Sequence, residues 1–216
     1  MRQIRLSFLK VCLGTLVVLA FNVQAVAKIV MNYSDSSFEE QSRGQMETYV
    51  VEAAGYFLKS HSDMFLFLNK VEMSDLEGTD FAGLQSIIDC AVVNMQNAQA
   101  KYSELTALAD STPYDQTVLQ QLAVFDYAAF RDSKGLNSVI YSDVKAYLQS
   151  GDVRGVYYKL YWDTQQILDL LILLKSAVDA DTLPDMPDVW RANRIYSDTF
   201  LFGQYTAEIF YEITGK

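Results

Sequence analysis

"FAGLQSIIDCAVVNMQNAQAKYSELTALA", residues 81–109, is the stretch that decides the fold. Its apolar positions recur at gaps that alternate between three and four residues, a spacing that lines one face of an α-helix. These positions are Phe81, Leu84, Ile88, Ala91, Met95, Ala98, Tyr102, Leu105 and Ala109. An apolar stripe of this kind predicts a long helix that packs nearly parallel or antiparallel to others.

The same spacing recurs in three further stretches, and it predicts long helices at roughly 36–72, 79–110, 152–180 and 187–214. Period-two alternation is nearly absent, so the class is predicted to be all-α. Only ten glycines and three prolines interrupt the chain. The repeating positions of the other three stripes are Met46, Val50, Ala53, Phe57, Met64, Phe67 and Val71; Val153, Tyr157, Leu160, Thr164, Ile167, Leu171, Leu174 and Val178; and Val189, Asn193, Tyr196, Phe200, Gly203, Ala207 and Phe210.

Two acidic loops are predicted to join these helices into hairpins. The first is Met73–Asp80, in which Thr79 or Asp80 is placed to cap the second helix. The second is Asp179–Asp188, with Pro187 at a first helical position. We expect the acids of both loops to cap helices rather than to bind calcium, because their spacing is not that of an EF-hand.

The passage between the two hairpins, about 111–151, is predicted to hold two short helices. One should start near residue 112 and end at Gly135, and the other should span about 138–149. The predicted architecture is therefore a four-helix bundle of two long helical hairpins joined by a short-helix excursion.

The N-terminus has the pattern of a secretory signal peptide over residues 1–27. Three basic residues and no acid precede an apolar stretch over 11–21, and small residues follow at Ala25 and Ala27, the two expected cleavage points. No later segment is long and apolar enough to span a bilayer. We therefore expect a bacterial periplasmic or secreted protein whose mature chain, 28–216, is one helical-bundle domain.

The chain is acidic, with a net charge of -10. Loss of residues 1–27 removes three bases and leaves 14 Lys and Arg against 27 Asp and Glu, a net charge near -13. Such a charge repels nucleic acid and anionic membrane surfaces, so neither is an expected partner.

Catalytic and metal-binding motifs are scarce. The single histidine, His61, borders the apolar stripe and has no Asp or Glu three or four residues away, so packing is preferred over a functional role. One histidine cannot build a di-iron bundle site, and no Cys-x-x-Cys-His haem motif occurs. We expect no catalytic residue, metal or cofactor, although an enzyme based on carboxylates stays open. Cys90, the one cysteine of the mature chain, is expected to be buried and inert, with an intermolecular disulfide as the alternative.

Aromatic residues concentrate where the third long helix begins and the fourth ends. An antiparallel hairpin brings these ends together at one pole, beneath the excursion. Tyrosine and tryptophan suit ligand pockets and interfaces as well as cores. The candidate residues for a ligand or partner site are Tyr157, Tyr161, Trp162, Tyr205 and Tyr211, and the competing interpretation is an aromatic core.

The segment Ile167–Leu174, "ILDLLILL", is apolar at seven of eight positions. A helix on the rim of a bundle should show a polar face, so we expect the excursion, or else another copy of the chain, to cover it. The leading hypothesis is an exported, non-enzymatic helical bundle that binds a partner protein or a small ligand. The alternatives are a carboxylate- and tyrosine-based enzyme at the aromatic pole, and a structural subunit that assembles as a homo-oligomer through Ile167–Leu174.

Overall fold

The computed structural model describes residues 37–111, 114–135 and 138–214, and every regular element in those ranges is an α-helix. The predicted signal peptide lies outside the described residues. Within these ranges no helix combines the length and the apolar character that crossing a bilayer requires. The helices are α1 Ser37–Glu77, α2 Phe81–Ser111, α3 Gln116–Val124, α4 Tyr127–Lys134, α5 Ser138–Gln149, α6 Val153–Asp179 and α7 Met186–Thr214.

The long helices α1, α2, α6 and α7 pack side by side as a helical bundle. Helix α1 lies against α2 and α7, and α6 also lies against α2 and α7. Lys175 on α6 ties two of them together, because its Nζ lies 2.6 Å from an Asp89 carboxylate oxygen on α2. The all-α class predicted from the apolar spacing is confirmed for the described residues.

The core divides into two clusters of buried side chains along the bundle. The upper cluster joins the N-terminal halves of α1 and α6 to the C-terminal halves of α2 and α7. The lower cluster joins the opposite halves of the same four helices. Neighbouring long helices therefore run antiparallel. The upper cluster includes Met46, Val50, Tyr102, Leu105, Val156, Tyr157, Phe202, Tyr205 and Phe210, and the lower one Phe57, Met64, Phe67, Ile88, Met95, Ile167, Leu171, Leu174 and Tyr196.

Most helix bounds agree with the predicted ones to within two residues, but α1 continues five residues past position 72. The connection to α2 is therefore only residues 78–80. Gly78 takes the left-handed conformation, with φ 81°, which ends α1. Asp80 then caps α2, since its Oδ1 accepts a hydrogen bond from the Gly83 backbone N–H at 2.9 Å.

The excursion contains three short helices rather than the predicted two, because the chain breaks at Phe125. Phe125 has an extended backbone, and Asp126 starts α4 by accepting a hydrogen bond from the Ala129 N–H at 3.0 Å. The Tyr127 hydroxyl donates to the Leu122 carbonyl at 3.0 Å, which ties α4 back to α3. The Tyr141 hydroxyl of α5 donates to the carbonyl of Tyr127. All three helices contribute apolar side chains to the upper cluster, so the excursion lies at that pole.

The expectation that the excursion covers Ile167–Leu174 is wrong. The buried residues of this segment belong to the lower cluster, where α1, α2 and α7 enclose them, whereas the excursion packs into the upper one. Ile172 and Leu173 are left 46% and 51% exposed. Five of the eight residues of the segment are buried, which explains its apolar character, and Asp169, Ile172 and Leu173 face out.

Candidate functional site

A largely apolar cavity of about 70 Å³ lies between the four long helices at the junction of the two clusters. Every long helix contributes to its wall. The lining residues are Val50, Ala54, Phe57, Leu58, Tyr102, Leu105, Val156, Tyr157, Leu160, Thr199, Phe200, Gly203, Gln204, Thr206 and Ala207.

The cavity exists because α7 carries small side chains where the stripe of a long helix would ordinarily carry large ones. Gly203 and Ala207 occupy two consecutive stripe positions, and both line the cavity. A Cβ atom placed on Gly203 would meet nothing within 4 Å. Sequence reasoning missed this site, although the Gly–Ala interruption of the fourth stripe was its signal.

Tyr157 lines the cavity and carries an unsatisfied polar group. The residue is 2% exposed, and its buried hydroxyl makes no hydrogen bond to a described residue. Burial raises the pKa of this hydroxyl, chiefly because an ionised phenolate would lose its hydration. An unpartnered buried hydroxyl costs roughly 1–3 kcal/mol, so this group lowers the stability of the folded protein.

A partly buried ion pair lies beside the cavity. The Asp163 carboxylate accepts hydrogen bonds from Lys159 Nζ at 2.8 and 3.1 Å and from the Thr199 hydroxyl, a cavity-lining group, at 3.2 Å. Burial raises the pKa of Asp163, and the lysine and the hydroxyl only partly oppose this effect. Burial also raises the pKa of Tyr102, with a smaller contribution from the Asp163 charge.

A groove of about 400 Å³ runs along the surface between α5 and α6, and Lys159 and Asp163 line it as well. The hydrogen bond between Asp163 and Thr199 thus connects a residue of the groove wall to a residue of the cavity wall.

The five aromatic residues predicted from the sequence occupy different environments rather than one site. Tyr157 lines the cavity, while Tyr205 is buried in the upper cluster. Tyr161 is partly buried, and its ring meets that of Trp162 at 5.4 Å between centroids. Trp162 lines the groove, and Tyr211 is 53% exposed. The aromatic pole is therefore partly core, with Tyr157 and Trp162 as its members at concave sites.

His61 belongs to a packed aromatic group. Its ring stacks on that of Tyr196 with 5.1 Å between centroids and 6° between planes. Burial lowers the pKa of His61 to about 4, so the ring is neutral at pH 7. Beneath it, Ser60 donates a hydrogen bond to the Ala91 carbonyl at 2.6 Å, and the Tyr196 hydroxyl donates to Ser60. The His61 ring therefore packs against aromatic side chains of α1 and α7.

Cys90 is exposed, so the expectation of a buried thiol is wrong. Position 90 is not part of the apolar stripe of α2, which passes through Ile88 and Ala91 on either side of it. Among the described residues, no three His, Cys, Asp or Glu side chains converge in a way that could hold a metal ion.

In comparisons with known proteins, no family model, no curated protein and no solved structure matches this chain significantly.

Proposed function

We propose that this protein is an exported helical-bundle binding protein that holds a small, largely apolar ligand, or the apolar part of one, in the cavity between its long helices. The observation that carries the proposal is the cavity itself, which four helices line with largely apolar groups. An engineered apolar cavity of about 150 Å³ binds benzene or xenon. A cavity of about 70 Å³ is less than half that volume, so it suits xenon or a ligand smaller than benzene.

The proposal includes the arrangement of the helices and the route of the chain. We infer a four-helix bundle in the cyclic order α1, α2, α6, α7, which the packing pairs among these helices support. We also infer cleavage after Ala25 or Ala27 and a periplasmic or secreted location, supported by the N-terminal pattern. The intact mass of the protein isolated from expressing bacteria tests the export step, since an uncleaved N-terminus would contradict it.

Thermal unfolding under xenon pressure tests the cavity. Xenon should raise the Tm of the wild-type protein in a saturable way, because a ligand that binds only the folded state adds about 2.7 kcal/mol at 100 times its Kd. Gly203→Leu should remove this response, since the new side chain enters the cavity. Gly55→Leu is the matched control, because Gly55 also sits in a long helix with open space at its Cβ position but does not line the cavity.

Two results would contradict the proposal: a wild-type Tm that xenon does not change, or a response that survives in Gly203→Leu. Native mass spectrometry provides the companion measurement. A small molecule that co-purifies with the wild type and with Gly55→Leu, but not with Gly203→Leu, would identify the natural ligand.

A second candidate function is assembly through the exposed part of Ile167–Leu174. It is favoured by the exposure of Ile172 and Leu173 as neighbours on α6. Light scattering should then show an oligomer that Leu173→Glu dissociates, and a monomer at every concentration would remove this candidate. The enzyme alternative has less support, because no acid occurs among the described residues that line the cavity.

A further inference from the structure

The groove between α5 and α6 is shaped by a close approach of the two helices. Tyr147 of α5 and Gly155 of α6 both line it. A Cβ atom on Gly155 would lie 2.6 Å from Cδ1 of the Tyr147 ring and 2.2 Å from an Asp152 carboxylate oxygen. Any larger residue would therefore push the Tyr147 ring away, so the glycine allows the ring to lie against α6 and form one wall.

Two further aromatic side chains line the groove from α6 and remain accessible. Trp162 is 58% exposed, although its ring is braced by Tyr161 in an edge-to-face contact. Tyr158 is 39% exposed, and its hydroxyl donates to Asp110 at 2.6 Å, which fixes the direction of the ring. Exposed aromatic faces attract cations, and indole does so most strongly.

The charges in the groove leave one carboxylate uncompensated. The ammonium group of Lys159 is already engaged, since it bonds both Asp163 oxygens and lies 5.0 Å from the centroid of the Phe202 ring. Asp143, on the α5 side, makes no ion pair with a described residue. The groove therefore carries a net negative charge, on a chain whose net charge is already -10.

We propose that this groove binds the ammonium group of a small organic cation, held between the face of Trp162 and the carboxylate of Asp143. The site is separate from the cavity and does not depend on the function proposed for it. Neutral ligands have no reason to prefer this groove, because its distinguishing groups are an accessible indole and an unpaired carboxylate.

Trp162 fluorescence tests the proposal, with n-butylammonium chloride as the probe. The measurement uses a Trp190→Phe background, because Trp162 and Trp190 are the two tryptophans of the chain. Trp190 is 56% exposed, and its Nε1 donates a long hydrogen bond of 3.4 Å to Glu72, so replacement by phenylalanine should keep the fold. Butylammonium should change the emission of Trp162 saturably, whereas n-butanol, or sodium chloride at the same ionic strength, should not.

Asp143→Asn should weaken butylammonium binding at least fivefold. Asp181→Asn is the matched control: it removes the same charge from an exposed residue in the loop after α6, at the end of that helix remote from the groove. Binding should be unchanged in that variant. Circular dichroism checks that both variants keep their helicity. The proposal is overturned if butylammonium gives no saturable change, if sodium chloride gives the same change, or if the two variants bind equally.

Discussion

Two buried tyrosine hydroxyls differ in whether they have a hydrogen-bond partner. Tyr157 and Tyr196 are 2% and 0% exposed, and both lie in the core. The hydroxyl of Tyr196 bonds Ser60, whereas that of Tyr157 has no partner among the described residues. Burial raises the pKa of both hydroxyls, so neither ionises near neutral pH.

Replacement of each tyrosine by phenylalanine should therefore act in opposite directions. Tyr196→Phe should lower the free energy of unfolding of the ligand-free protein by about 1 kcal/mol, the usual net value of one hydrogen bond. Tyr157→Phe should raise it by roughly 1–3 kcal/mol, because an unsatisfied buried group is removed. Urea unfolding measures both changes. A loss of 1 kcal/mol or more in Tyr157→Phe would show that its hydroxyl already has a partner in the apo protein.

His61 should make stability depend on pH in a defined window. Its pKa is about 4 in the folded protein and near 6.5 when unfolded, so the unfolded state binds more protons between these values. The contribution of the neutral His61 ring to the free energy of unfolding is complete above pH 6.5 and is lost as the pH falls towards 4. The total is on the order of 3 kcal/mol, because one unit of pKa shift corresponds to about 1.4 kcal/mol.

The comparison with His61→Phe isolates this effect. Phenylalanine can keep the stacking on Tyr196 but cannot bind a proton. Urea unfolding from pH 8 to pH 4.5 measures the free energy of unfolding of both proteins. The difference between them should be constant above pH 6.5. Below that pH the wild type should lose stability relative to His61→Phe. Parallel profiles over the whole range would contradict the account. Asp63 and Asp163, whose pKa values burial raises, act in both proteins and cancel in the difference.

At the scale of the element, the long helices could be predicted from the sequence and the excursion only in part. The apolar stripe of α2 has no error over nine positions, and all its members but Phe81 are buried. The excursion has too few turns for spacing to separate one helix from two. Across the break, the Phe125 ring packs edge-on against Tyr127 at 5.1 Å, a contact between side chains that helix periodicity does not predict. Asp126, a favourable capping residue, was the local signal.

Asp126→Ala should destabilise the protein by about 1 kcal/mol, the common cost of losing an N-cap side chain. Asp126→Asn should cost little, since asparagine caps equally well. Urea unfolding compares the two variants. Equal stability of Asp126→Ala and the wild type would show that the Phe125 contacts alone hold the start of α4.

At the scale of the whole molecule, the sequence predicted which ends of the helices meet but not where the interior is underfilled. Periodic apolar positions define the faces that are buried, and those faces fix antiparallel neighbours once the loops are short. A cavity depends on the volumes of side chains from four separate helices at one level, and no single stripe contains that information. The signal of the cavity in the sequence was the pair of small residues at consecutive stripe positions of α7, Gly203 and Ala207.

The groove that we propose as a cation site is equally a property of the assembled molecule. The groove brings Asp143 of α5 beside Trp162 of α6, and these residues lie on opposite sides of a loop whose path sequence reasoning could not fix. Sequence reasoning selected Trp162 as aromatic and polar-tipped, but it had no reason to select Asp143.

Diffraction from a crystal of the mature protein under xenon pressure tests the central claim most directly. The account predicts a xenon atom between α1, α2, α6 and α7, in contact with Gly203 and with the ring of Tyr157. Gly203→Leu crystals should lack that atom. Long helices that do not enclose a common interior, or xenon found only at surface sites in the wild type, would contradict it.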